Sequence, residues 1–132
     1  MAEEMKQTST LKRYGSVREV LLDEDLAGLG DAYVNFVYSL AVSQRSRRPA
    51  GAKVNNRVLA EAVRRSGLRR LLPHRVDRHA RGNAAEALIV FAWLSDLVSL
   101  EECVKTLAET EDAAEAFTGL LHVILERLGE ME

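Results

Sequence analysis

One run of eleven residues, Ala84 to Leu94 (AAEALIVFAWL), is apolar on every side of a helix except for a single carboxylate. A helix without a polar face is stable only when other helices cover it all round. The run therefore predicts a central buried helix, from about Asn83 to Val98, wrapped by amphipathic partners. It is too short to cross a bilayer. No window alternates with period two for long enough to propose a strand. Aromatic residues at 5% and two prolines, in a chain rich in Ala, Leu, Glu and Arg, also favour helix. The expected class is all-α, a helical bundle, and 132 residues fit one core. Residues 1–13 are polar and expected to be flexible, leaving 14–132 as a single domain.

The partners of the central helix are marked by caps and spacing. Ser16 and Glu19 read as a capping box opening a helix through Val17, Val20 and Leu21, which Gly28 and Gly30 should break. Asp31 should open the next, with Val34, Val37, Tyr38 and Ala41 on one face. Residues 44–52, with Pro49 and Gly51, read as a basic loop. Asn55 or Asn56 caps a third helix that ends at Gly67, and residues 72–82 read as a charged connector. Ser99 with Glu102 forms a second capping box, and Thr110 is the expected cap of a final helix through Phe117, Leu121 and Leu128.

A net charge of −2 conceals a strong asymmetry. Residues 45–82 hold twelve basic and two acidic side chains, a balance of +10, whereas residues 83–132 hold two basic and eleven acidic, a balance of −9. A concentrated cation on an otherwise acidic chain points to a polyanionic partner. The single cysteine, Cys103, excludes an intrachain disulfide and a cysteine-based zinc site. With no apolar run in residues 1–10, no signal peptide is expected, and the location implied is cytoplasmic.

Two acids stand in unusual places. Asp31 lies between Gly30 and a long apolar helix, and Glu86 is the only charge in the run from Asn83 to Ser95. A lone buried carboxylate costs several kcal/mol unless protonated, paired or coordinated. Spacing leaves two accounts open. In one, Asp31 caps its helix and Glu86 pairs with an arginine, and buried ion pairs are the commoner arrangement. In the other, both hold Mg²⁺, an ion that takes one or two carboxylates plus waters and phosphate oxygens. His74 and His79 flank Asp77 in what reads as a loop, where solvated histidine is the ordinary state. Trp93, Tyr33 and Tyr38 fall at core spacing, and His122 reads as packing.

Three blocks together resemble the ribonuclease III family. Glu24, Leu26, Leu29, Gly30, Asp31 and Ala32 are similar to the stretch carrying the family signature. Residues 54–72 (VNNRVLAEAVRRSGLRRLL) are similar to the helix that follows it. Residues 83–94 (NAAEALIVFAWL) are similar to the second acidic motif, whose glutamate falls on Glu86. The resemblance covers residues 17–108. It implies an all-helical endonuclease domain in which the two acidic helices cross, with Asp31 and Glu86 as catalytic ligands of Mg²⁺ or Mn²⁺. It also implies cleavage of double-stranded RNA to a 5′-phosphate and a 3′-hydroxyl, in RNA maturation, and a homodimer.

The chain departs from the family pattern at three positions. Ala27 and Asn83 stand where the full site has acids, and Gly28 stands at the usual apolar dimer knob. The minimal branch, Mini-ribonuclease III, is similarly thinned. Asn83, Asp77 and Glu24 are weak candidates for additional metal ligands. No separate double-stranded-RNA-binding domain is expected, so the basic segment should supply the phosphate contacts, through Arg45, Arg47, Arg48, Lys53, Arg57, Arg64 and Arg65. The alternative is a non-catalytic RNA-binding or assembly module that keeps the fold.

Overall fold

The computed structural model describes residues 13–130. Apart from Arg13, the flexible segment expected over residues 1–13 lies outside them. The elements in order are α1 (Val17–Leu21), α2 (Glu24–Ser46), α3 (Asn56–Ser66), a 3₁₀ turn (Leu68–Leu71), α4 (Arg78–Leu94), α5 (Leu100–Ala108) and α6 (Ala113–Arg127). No strand occurs among the described residues, and the all-helical expectation holds.

Helix α4 is the centre. Residues 84–90 are all buried, with Leu88, Ile89 and Val90 wholly so. Helix α2 crosses it in the most extensive helix–helix contact; α3 packs on α4 and α6, and α5 on α2 and α6. Tyr33 stacks on Trp93, with centroids 4.8 Å apart, and its hydroxyl donates to Cys103 Sγ at 3.4 Å. One aromatic pair thus joins α2, α4 and α5, in the core role expected of it.

Gly28 and Gly30 do not break a helix. Helix α2 runs 23 residues straight through both, and Asp31 lies inside it rather than at its start. The cap is Asp23, whose Oδ1 accepts from the N–H groups of Asp25 and Leu26. Two helical glycines cost about 1 kcal/mol each. Burial of Leu26, Ala27, Tyr33, Val34, Val37 and Ala41 along the same helix offsets that cost.

Other local expectations shift by a few residues. Ser16 Oγ accepts from Glu19 N–H, but the Glu19 carboxylate returns to Gly15 N–H, so the reciprocal box does not form. Asn55 caps α3, and Gly67 ends it at φ 86°. The basic loop begins at Arg47, since α2 runs on to Ser46. The expected connector is partly helix: Asp77 accepts from Ala80 N–H at 2.8 Å and opens α4 at Arg78, and α4 stops at Leu94 rather than Val98. Asp112, not Thr110, caps α6, and Thr110 Oγ1 instead accepts from Asp112 N–H. The Ser99–Glu102 box forms as expected. The Glu102 carboxylate also binds Arg127 at 2.7 Å, tying α5 to α6.

Candidate active site

The α2–α4 crossing is close because position 30 is glycine. A Cβ there would fall on the Glu86 carbonyl, 2.5 Å from its carbon and nearer still to its oxygen. With no side chain in the way, the backbones meet one residue before Asp31 and at Glu86 itself.

The two carboxyl groups consequently share one cleft of about 480 Å³, lined by Glu24, Ala27, Gly28, Asp31, Asn56, His79, Asn83 and Glu86. From α2 come residues 24, 27, 28 and 31, and from α4 residues 79, 83 and 86; each set has the spacing of one helix face. Glu86 is 5% exposed and Asp31 lies at the solvent side. Burial, then the hydrogen bond to Asp31 and its charge, push the Glu86 carboxyl up to about 8. Among the described residues no arginine or lysine pairs with Glu86. Asp31 is oriented from behind. Asn35 Nδ2 donates to its Oδ1 at 3.2 Å, and Asn35 Oδ1 accepts from Val54 N–H at 2.8 Å.

The floor of the cleft is also constrained. A Cβ on Gly82 would lie 2.7 Å from Asn56 Oδ1, so glycine leaves room for that side chain. Asn56 Nδ2 lies 3.1 Å from His79 Nδ1. The contact is a hydrogen bond in the tautomer whose Nδ1 accepts, because an amide nitrogen can only donate.

Of the weaker metal candidates, Asn83 and Glu24 line the cleft. Asp77 does not: it caps α4 and faces an adjoining pocket. No group of three or more His, Cys, Asp or Glu side chains suited to a metal occurs among the described residues. The donor set is therefore the bonded Asp31–Glu86 pair, with the Glu24 carboxylate and the Asn83 amide carbonyl elsewhere on the cleft lining. That fits a hydrated Mg²⁺, which keeps several waters, better than an all-protein cage.

The seven expected phosphate contacts do not share one face. Arg45 donates to the carbonyls of Thr110, at 2.6 Å, and Leu107, so it braces the end of α5. Arg47 and Arg48 flank an apolar groove with Leu40, Leu100 and Val104. They lie on the order of 24 Å along α2 from Asp31, at 1.5 Å per residue. Lys53 is exposed before α3. Arg64 and Arg65 are held by Glu61. Arg57, in the first turn of α3, follows the cleft residue Asn56 and lines the pocket that shares Asn56 and His79 with the cleft.

Sequence reasoning did not assign Asn35, Asn56, Arg78 or Arg81 to the site, and it gave His79 to a loop. The signal was present: 79, 83 and 86 share one helical face once Asp77 is taken as the N-cap.

The buried carboxyl gives a pH dependence. In the unfolded chain Glu86 titrates near its ordinary 4.5, and in the metal-free fold near 8. Between those values the folded state holds the extra proton, so stability falls as pH rises through the window and levels off above it. In chelator, the melting temperature should decline from about pH 5 to about pH 8 more steeply for the native chain than for Glu86→Gln. Parallel curves for the two proteins would contradict the assignment.

No helix among the described residues is long and apolar enough to cross a membrane. No curated protein matches the chain. The family pattern described as Ribonuclease III matches residues 24–130, running from the first residue of α2 past α6. It reaches beyond residue 108, where the block resemblance stops, and contains every residue that lines the acidic cleft. With a match over most of its length, the chain belongs to the ribonuclease III family.

Proposed function

We propose that this protein is a metal-dependent endoribonuclease that hydrolyses double-stranded RNA. The observation that carries this reading is the buried Glu86 carboxyl, hydrogen-bonded to Asp31 in an open cleft with no cationic partner among the described residues. A proton now answers for the second carboxylate, and a divalent cation is the other group able to do so.

Asp31 and Glu86 would hold the ion, Asn83 would offer a carbonyl oxygen, and the Asn35 hydrogen bond orients Asp31. The chemistry supplied by Mg²⁺ or Mn²⁺ when bound is a more acidic water and neutralisation of charge on the phosphate. In the reaction, the water oxygen adds to phosphorus and the P–O3′ bond breaks. The 3′ oxygen leaves with a proton, giving 5′-phosphate and 3′-hydroxyl ends. Duplex recognition rests on phosphates and 2′-hydroxyls, because the A-form major groove is too narrow for side chains. Incubation with a labelled duplex and Mg²⁺ or Mn²⁺ tests the reading. Salt-sensitive binding without product selects instead the non-catalytic module, which the Ala27 and Asn83 positions in the cleft favour.

Domains of this family often dimerise. Leu22, Leu29 and Phe36 are 49%, 43% and 54% exposed and recur every seven residues, the last two along α2. The exposed small residues Gly28 and Ala32 share the α2 part of that face. A second copy of the chain, packed through the same stripe about a two-fold axis, covers it. Phe36→Glu should convert the dimer to a monomer at micromolar concentration, read by equilibrium sedimentation. An unchanged mass would rule out this face.

A further inference from the structure

Beside the acidic cleft, α3 and α4 enclose a second pocket, of about 400 Å³, lined by Arg57, Ala60, Glu61, Arg64, Arg78 and Arg81. Four arginines and one glutamate contribute to its walls. The glutamate is already engaged: Glu61 accepts from Arg64 at 2.5 and 3.1 Å and from Arg65 at 2.7 Å. Those bonds hold its pKa down at about 2.

Arg57, Arg78 and Arg81 form no ion pair among the described residues. The Arg81 Nε is buried and has no hydrogen-bond partner there. A buried guanidinium N–H without an acceptor, among like charges, is unfavourable until an anion enters. Arginine's planar fork suits a phosphate in particular.

Position says which phosphate. Arg57 and Arg78 also line a pocket of about 650 Å³ with Asn55, Asn56, Asp77 and His79. Asn56 and His79 in turn line the acidic cleft. Neighbouring cavities thus share lining residues, from the cleft of Asp31 and Glu86, through the pocket at His79, to the one at Arg81.

We propose that the α3–α4 pocket is a phosphate-binding site. It takes a backbone phosphate of the RNA strand that leaves the acidic cleft, with Arg78 and Arg81 as its principal ligands. The pocket's affinity for phosphate stands on the arginine geometry alone. The identity of the phosphate's carrier rests on the nuclease reading above.

Two measurements on the full chain test this. The first is thermal unfolding in potassium phosphate against potassium chloride at equal ionic strength. Phosphate should raise the wild-type midpoint by several degrees, with the rise lost in Arg78→Ala and in Arg81→Gln. The second is binding of a labelled RNA duplex without divalent metal. Each variant should weaken binding about tenfold and make the slope of log K against log salt shallower by about one. Arg78 is exposed, so Arg78→Ala carries both measurements if Arg81→Gln does not fold.

A phosphate response retained by Arg78→Ala overturns the site. A response lost in the variant, with duplex affinity unchanged, overturns the RNA assignment and leaves a site for free phosphate. If the wild type responds to phosphate but binds no duplex, the nuclease reading fails and the pocket stands.

Discussion

Asp31→Asn and Glu86→Gln should each reduce duplex cleavage by about a thousandfold or more, while duplex binding without metal is unchanged or stronger. Each variant removes one carboxylate of the Asp31–Glu86 pair proposed to hold the cation. The transition-state charge stabilisation such an ion provides is several kcal/mol, and every 1.36 kcal/mol is tenfold in rate. Binding is spared because phosphates are repelled, not held, by these acids. The two variants differ in stability. Glu86→Gln keeps the volume of a side chain only 5% exposed and removes a charge that burial disfavours. In chelator at about pH 8 it should therefore melt higher than the native chain. Asp31 lies at the solvent side, so Asp31→Asn should leave the melting temperature nearly unchanged. Single-turnover cleavage beside anisotropy binding separates the effects. Cleavage by both variants at the native rate would remove the nuclease reading.

Gly30→Ala should destabilise the fold by about 3 kcal/mol or more, or prevent folding, even though alanine is the better helix former. The added Cβ meets the backbone carbonyl of Glu86, which cannot swing aside as the end of a side chain could. The α2–α4 crossing has to open, and packing is lost around wholly buried Val34, Val37, Leu88 and Ile89. Gly28→Ala, two residues earlier on the same helix, is the matched control. A Cβ there meets nothing within 4 Å, so the change should stabilise by up to about 1 kcal/mol. Denaturant titration of the pair reads the difference. Equal midpoints would mean that the close approach at Gly30 does not govern the crossing. Any folded Gly30→Ala protein should also cleave poorly, since parting the helices parts Asp31 from Glu86.

The contrast between these glycines shows where sequence reasoning reaches its limit. Taken one after another, Gly28 and Gly30 signal a helix end, because backbone entropy and the missing side chain both weigh against helix. Within a bundle that local penalty is small beside the apolar surface α2 buries, so the helix continues and Asp31 loses its role as a cap. The same blindness to neighbours gave residues 78–82 to a connector, and with them the Arg78 and Arg81 wall of the second pocket. Arg45 looked like a phosphate contact because it is basic, yet it closes onto the carbonyls at the end of α5, a partner sixty-odd residues away.

The sequence by itself determined the helical class and the central helix, because an all-apolar run has no other stable surroundings in water. It also determined that Glu86 needed a partner, because an isolated buried charge is too costly to leave unanswered. Only the tertiary structure decided that the partner is Asp31 and not an arginine. That outcome depends on how near two backbones approach, and the approach is set by one missing Cβ at Gly30 meeting a carbonyl fifty-six positions away.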